Sequence, residues 1–154
     1  MAARSAGILL YRERDGILSV LLVHPGGPFW AKKDLGAWSI PKGEYQEGGD
    51  PAAAALREFE EELGTRLDAP MIPLGEITQK AGKRVTAFAM PGDIDARQIR
   101  SNHFTIEWPP RSREMRSFPE VDRAEWFSLE AARAKLLPAQ LPFLDRLALH
   151  LGSR

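Results

Sequence analysis

Apolar residues follow two rhythms along this chain. The aliphatic runs Ile8-Leu9-Leu10 and Val20-Leu21-Leu22-Val23 predict strands over residues 5–11 and 18–24, covered on both faces. Arg14-Asp15-Gly16 between them is a hairpin signal. A short strand is predicted over 38–40, and two more over 71–79 and 85–90 around the turn Lys80-Ala81-Gly82-Lys83. Phe104, Ile106 and Trp108 alternate with Thr105 and Glu107, the two-residue period of a strand over 103–108. The second rhythm is helical. Ala52, Leu56, Phe59 and Leu63 share one arc of a helix over 50–63, and Leu141, Leu144, Leu147 and Ala148 recur likewise over 138–149. Residues 129–136 and the short stretch 95–100 complete the predicted helices.

The helix over 50–63 has legible ends and an unusual face. Asp50 is placed to cap it, Pro51 suits the first turn, and Gly64 can adopt the left-handed conformation that stops it. Glu58, Glu61 and Glu62 fall within one arc of about 100°, set apart from the apolar arc by about 120°. Like charges at i, i+3 and i+4 repel by about 0.2–0.5 kcal/mol per pair. A divalent cation cancels that repulsion; a solvated acidic face merely tolerates it. Hard cations such as Mg²⁺ or Mn²⁺ prefer such oxygen donors.

Composition narrows the field. The 154 residues fit one domain, 1–154, able to bury roughly two-thirds of its unfolded surface. Basic and acidic residues balance at 21 each, so no net field favours nucleic acid or an anionic membrane, and neither is expected as a partner. No apolar run is long enough to span a bilayer, and the aliphatic stretch at 8–10 is too short for a signal-peptide core. Without cysteine there is no disulfide and no thiolate chemistry, and a cytoplasmic location is expected. His24, His103 and His150 are scattered and form no ligand pair; each is expected at the surface or hydrogen-bonded in the core.

The stretch Gly43 to Thr65 resembles the box that defines the Nudix family: Gly, five residues, Glu, seven residues, then R-E-U-x-E-E-x-G-U, with U aliphatic. Gly43, Arg57, Glu58, Phe59, Glu61, Glu62 and Gly64 fill its positions, while Gly49 stands where the first glutamate is usual and Thr65 where an aliphatic is. The resemblance implies an α+β fold, an α/β/α sandwich whose mixed sheet lies between helices, with the box as a loop-helix-loop. It implies Mg²⁺ or Mn²⁺ as cofactor, held by Glu58, Glu61 and Glu62, with the Lys42 backbone carbonyl facing the metal and Arg57 orienting the cluster. It further implies that a glutamate outside the box joins the site. Glu120, six residues before Trp126, fits that spacing better than its competitor Glu114. Glu120, or a box glutamate such as Glu61, would activate the attacking water. In the family the missing first glutamate braces the arginine, so Gly49 puts the support of Arg57 in question, with Glu47 or Asp50 as possible substitutes.

Two loops carry further candidates. Phe29, Trp30, Lys32 and Lys33 lie in a glycine- and proline-punctuated segment over 25–36, and either stack on a base and meet its phosphates or fold back as a hydrophobic plug. Arg111, Arg113 and Arg116 form a basic loop that either grips phosphates bidentately or decorates the surface. Tyr45 is a third aromatic candidate for meeting the base, and the Lys42 ammonium is a candidate phosphate neutraliser. The expected function is metal-dependent hydrolysis of a diphosphate bond in a small nucleoside diphosphate derivative, an NTP or a dinucleoside polyphosphate, by a monomer or homodimer. The alternative is a non-catalytic nucleotide-binding sensor, motivated by Gly49.

Overall fold

The two aliphatic runs pair into an antiparallel hairpin that becomes the middle of the sheet. The computed structural model describes residues 3–152. In it β1 (Arg4–Arg14) turns at Asp15-Gly16, both at positive φ, into β2 (Ile17–Pro25). The third strand, β3 (Lys42–Glu44), lies antiparallel to the start of β1, with Gly43 opposite Ala6 and Lys42 opposite Gly7. A helix, α1 (Pro51–Leu63), is followed by β4 (Ile72–Thr78) and β5 (Arg84–Pro91). The strand β5 runs parallel to β1, whereas β4 is antiparallel to β5. A separate two-stranded ribbon follows, β6 (His103–Glu107) and β7 (Met115–Pro119), before β8 (Val121–Ser128) pairs with β2. The chain ends with α2 (Leu129–Lys135) and α3 (Leu141–His150). The main sheet has the order β4-β5-β1-β2-β8, with β3 attached to β1.

Period-two alternation divides the core into two layers. Ile8, Leu10, Leu21 and Val23 face α1 and meet Ala54, Ala55, Phe59 and Leu63. Leu9, Val20 and Leu22 face the other way, onto Trp38, Leu136, Phe143, Leu144 and Leu147. A mixed sheet between helices results, in agreement with the expected sandwich. Among the described residues, no helix is long and apolar enough to cross a membrane.

The structure departs from the expected elements where polar bonding competes with apolar pattern. Residues 38–40 form no strand. They make isolated bridges, Val23 with Ser39 and Trp38 with Leu136, and regular pairing begins only at Lys42. The expected short helix at 95–100 is a single 3₁₀ turn, Ala96–Gln98, capped by Asp95. The helix expected from 138 begins as a 3₁₀ turn, Pro138–Gln140, and becomes α3 only at Leu141. The basic loop after Trp108 is mostly a hairpin. Arg116 sits on β7 opposite Ile106, and only Arg111 and Arg113 belong to the turn.

Candidate active site

Close approach of backbone brings β3 under the acidic face of α1. The Asp50 carboxylate accepts from the Ala52 N–H at 3.0 Å, and Gly64 closes the helix at φ 79°. With Phe59 and Leu63 buried, Glu58 and Glu62 are turned toward β3 and Glu120, while Glu61 stays more exposed beside Arg57. Gly43 gives the Glu58 side chain room for this placement. A Cβ there would stand 1.8 Å from Glu58 Oε1, so the carboxyl occupies the space that any side chain would need.

Backbone hydrogen bonds deliver the glutamate from outside the box. The Asn102 N–H donates to the Glu61 carbonyl at 2.9 Å, the Glu120 N–H to the Asn102 carbonyl at 2.9 Å, and the Gly26 N–H to the Glu120 carbonyl at 2.9 Å. Glu120 is thereby close enough to raise the proton affinity of Glu58 and Glu62. Glu114, its competitor, lies in the ribbon and pairs with Arg116 at 3.4 Å.

Arg57 is braced differently from the expectation. Its Nη2 donates to Glu58 Oε2 at 3.2 Å and to the Glu44 carbonyl at 3.5 Å, and its Nε lies 3.8 Å from Glu61 Oε1. Neither Glu47 nor Asp50 supplies the brace, and the Asp50 carboxyl is spent on the helix cap. Beside Arg57 a cavity of about 620 Å³ opens, lined by Glu44, Tyr45, Gln46, Gly49 and Asp50 among others.

The electrostatics of the cluster are those of charges short of counter-charge. Burial, then Glu58, pushes the Glu62 carboxyl up to about 9, against the opposing pull of Lys42. Burial and then Glu61 raise Glu58, against its hydrogen bond from Arg57. Burial lowers Lys42, more than Glu62 beside it can restore. Glu62 Oε2 is buried without any hydrogen-bond partner. Such an orphan costs about 1–3 kcal/mol, more when charged.

Among the described residues, no three carboxyl or imidazole groups already converge at metal-ligand spacing. Arg57 engages Glu58 and Glu61 while Glu62 is left unpartnered. These three stand at i, i+3 and i+4 on one helix, where side-chain rotation alone can bring them together. An orphaned buried oxygen within an all-oxygen donor set fits a hard divalent cation.

The other candidates lie away from this cluster. Lys33 Nζ stands 5.0 Å over the Trp30 ring, in the loop between β2 and β3. Arg111 and Arg113 are exposed in the β6–β7 turn. Loop and ribbon touch: Phe29 meets Trp108 edge to face at 5.2 Å, and Gly27 backs onto Phe104. His24 proves fully buried. Its Nε2 is 2.6 Å from the Lys33 carbonyl and its Nδ1 2.9 Å from Asp122 Oδ1, fastening the loop to β8. A histidine closing an apolar strand was the available signal, but its partner stands 98 positions away.

Comparison with known proteins places the chain in a family. A family model described as NUDIX domain matches residues 1–147. An RNA pyrophosphohydrolase of Acidiphilium cryptum is 31% identical over 159 residues, covering 93% of this chain and 91% of that protein. One of Rhodospirillum rubrum is 27% identical over 161 residues, with 96% and 91% covered. Among solved structures, a C. elegans Ap4A hydrolase binary complex superposes with a TM-score of 0.68 at 20% identity, covering 99% of this chain and 100% of that one. The NUDIX domain of Shewanella oneidensis NrtR complexed with ADP ribose gives 0.66 at 17% identity, with 98% and 89% covered. At such identities the structural likeness speaks for the fold. Taken with the family model and the geometry of Gly43, Arg57 and the glutamates of α1, it follows that this chain belongs to the Nudix family.

Proposed function

We propose that this protein is a metal-dependent pyrophosphohydrolase that cleaves a phosphoanhydride bond in a nucleoside diphosphate derivative. The observation that carries the reading is the buried, unpartnered Glu62 Oε2 beside Glu58, Glu61 and Glu120. Glu58, Glu61, Glu62 and Glu120, with the Lys42 carbonyl, would hold Mg²⁺ or Mn²⁺. Such an ion supplies neutralisation of the diphosphate and stabilisation of the charge that develops as it is cut.

The chain's own groups divide the remaining work. Arg57 holds Glu58 and Glu61 on one side of the cluster by charge-assisted contacts, which limits the rotation needed to gather them around an ion. Glu120, or alternatively Glu61, accepts a proton from the attacking water as its oxygen bonds to phosphorus and the bridging P–O bond breaks. The Lys42 ammonium, half-buried at the base of the cluster, offsets charge on the departing phosphate. The names of the curated relatives support a pyrophosphohydrolase. A second reading, a nucleotide sensor, draws on Gly49, since a backbone carbonyl rather than a carboxylate braces Arg57.

A panel of nucleoside triphosphates, dinucleoside polyphosphates, ADP-ribose and 5′-triphosphorylated RNA, assayed with and without Mg²⁺ and with products identified, tests the reading. The expected result is Mg²⁺-dependent cleavage within a diphosphate group of at least one member. Tight binding of a member without turnover of any would establish the sensor instead.

A further inference from the structure

Beyond the carboxylates, the ribbon formed by β6 and β7 is an elaboration that the proposed chemistry does not use. Its base is tied to the site, because Glu120 directly follows β7 and bonds to Asn102, which directly precedes β6. From that base the five residues of β7 carry the turn about 16 Å outward. The loop after β2 climbs alongside: Gly26 bonds to Glu120 at the base, Gly27 lies against Phe104, and Phe29 meets Trp108 at the top.

The turn is built to display cations. Arg111 and Arg113 hold φ of 65° and 64°, a conformation disfavoured for such side chains. The Glu107 carboxylate compensates by accepting both of their backbone N–H groups, at 3.1 and 3.2 Å. That consumes the nearest acidic group. Arg116 satisfies Glu114. The guanidinium groups of Arg111 and Arg113 are left with no side-chain partner among the described residues, each with a full fork of donors suited to phosphate. Three residues before Arg111, Trp108 supports edge-on the ring of Phe29, which keeps 64% of its surface exposed. Exposed rings beside arginines make up a platform for single-stranded nucleic acid. The chain-wide balance of 21 basic and 21 acidic residues conceals this local segregation.

Resting on the pyrophosphohydrolase reading, we propose that the ribbon and the Phe29 loop bind the nucleotides downstream of an RNA 5′ end whose diphosphate lies among the glutamates. The position of the cations decides between occupants. A dinucleoside polyphosphate gathers its phosphates in the middle and would present an uncharged nucleoside to the turn. A polynucleotide carries one phosphate per nucleotide, and so meets the glutamate site and the distant arginines together. The proposal departs from the expectation that nucleic acid is no partner and names a specific one: a single strand, held from its end.

The experiment measures binding of 5′-monophosphorylated oligoadenylates of one, two, four and six nucleotides, the products of such a reaction, by fluorescence anisotropy over a range of salt. It compares wild type with the double variant Arg111→Asn, Arg113→Asn, since asparagine tolerates the left-handed backbone of the turn; unchanged melting temperatures show that both are folded. Affinity of the wild type rises with length, and the double variant flattens that rise. Its salt slope, log affinity against log salt, becomes shallower by about 1.4, as loss of two phosphate contacts to a single strand requires. The ratio of kcat/KM for triphosphorylated hexanucleotide to that for ATP falls in parallel. Length-independent affinity, or an unaltered salt slope in the variant, overturns the proposal. So does a loss confined to dinucleoside polyphosphates. Because binding is read separately from turnover, hydrolysis of ATP without any length effect defeats this inference alone, whereas length-dependent binding without hydrolysis of any substrate defeats only the activity.

Discussion

Replacing Glu62 by glutamine is predicted to make the metal-free protein more stable, increasingly so as pH rises. In an unfolded chain this carboxyl ionises near 4.5, but in the folded protein it keeps its proton until about 9. Between those values the unfolded state binds fewer protons than the folded one, so stability falls as pH increases through the window and levels off above it. Each unit within the window removes about 1.4 kcal/mol. The wild type therefore carries a penalty under 1 kcal/mol at pH 5, about 3 kcal/mol at pH 7 and about 5 kcal/mol at pH 8.5. Glutamine matches the shape of the side chain and has no proton to lose, so Glu62→Gln removes the pH-dependent part. The assay is urea unfolding of both proteins in EDTA at the three pH values, comparing unfolding free energies. The difference should be small at pH 5 and should widen in favour of the variant toward pH 8.5. A constant difference across pH, or a wild type that gains on the variant as pH rises, would refute the claim that the fold holds Glu62 where its ionisation is opposed.

Two further substitutions probe neighbouring parts of the account. Gly43→Ala places a methyl group where Glu58 Oε1 now lies, and the obstacle is the far end of a side chain rather than backbone. Turnover of whichever nucleotide proves to be the substrate should fall about 100-fold while the melting temperature shifts little; full activity would show that the Glu58 position is unimportant. His24→Phe leaves the Lys33 carbonyl and Asp122 without their imidazole. Urea unfolding should report a loss of about 2–4 kcal/mol, and a change below about 0.5 kcal/mol would mean the two contacts contribute little.

The sequence disclosed what local periodicity and capping determine. The helix over 50–63 emerged with its cap and its stop because Asp50, Pro51 and Gly64 act within a few residues, and its two faces are set by one repeat. The central strands were equally plain, since Leu9 and Leu10 must each find a core when helices cover both sides of the sheet. Contacts between residues distant in sequence were legible only where the family resemblance named them, as for Glu120 beside the box glutamates. The Glu44 carbonyl stands in for the missing box glutamate only because β3 lies on β1, and no side-chain pattern announces a carbonyl. His24 and Asp122 gave no sign of each other. The strand β7 was hidden because Arg116 and Ser117 break the alternation and Pro119 ends it, so its existence depends on pairing with β6. Once the ribbon is seen, Arg111 and Arg113 are no longer members of a loose basic loop but the fixed end of an arm.

Calorimetric melting of wild type and Glu62→Gln during titration with MgCl₂ at pH 7.5 tests the central claim most directly, because an ion bound only by the folded state raises the melting temperature by mass action. If the unpartnered carboxyl of Glu62 is the heart of a divalent-cation site, the wild-type melting temperature climbs with Mg²⁺ and the variant's scarcely moves. Parallel curves for the two proteins, whether both rise or both stay flat, would contradict the assignment.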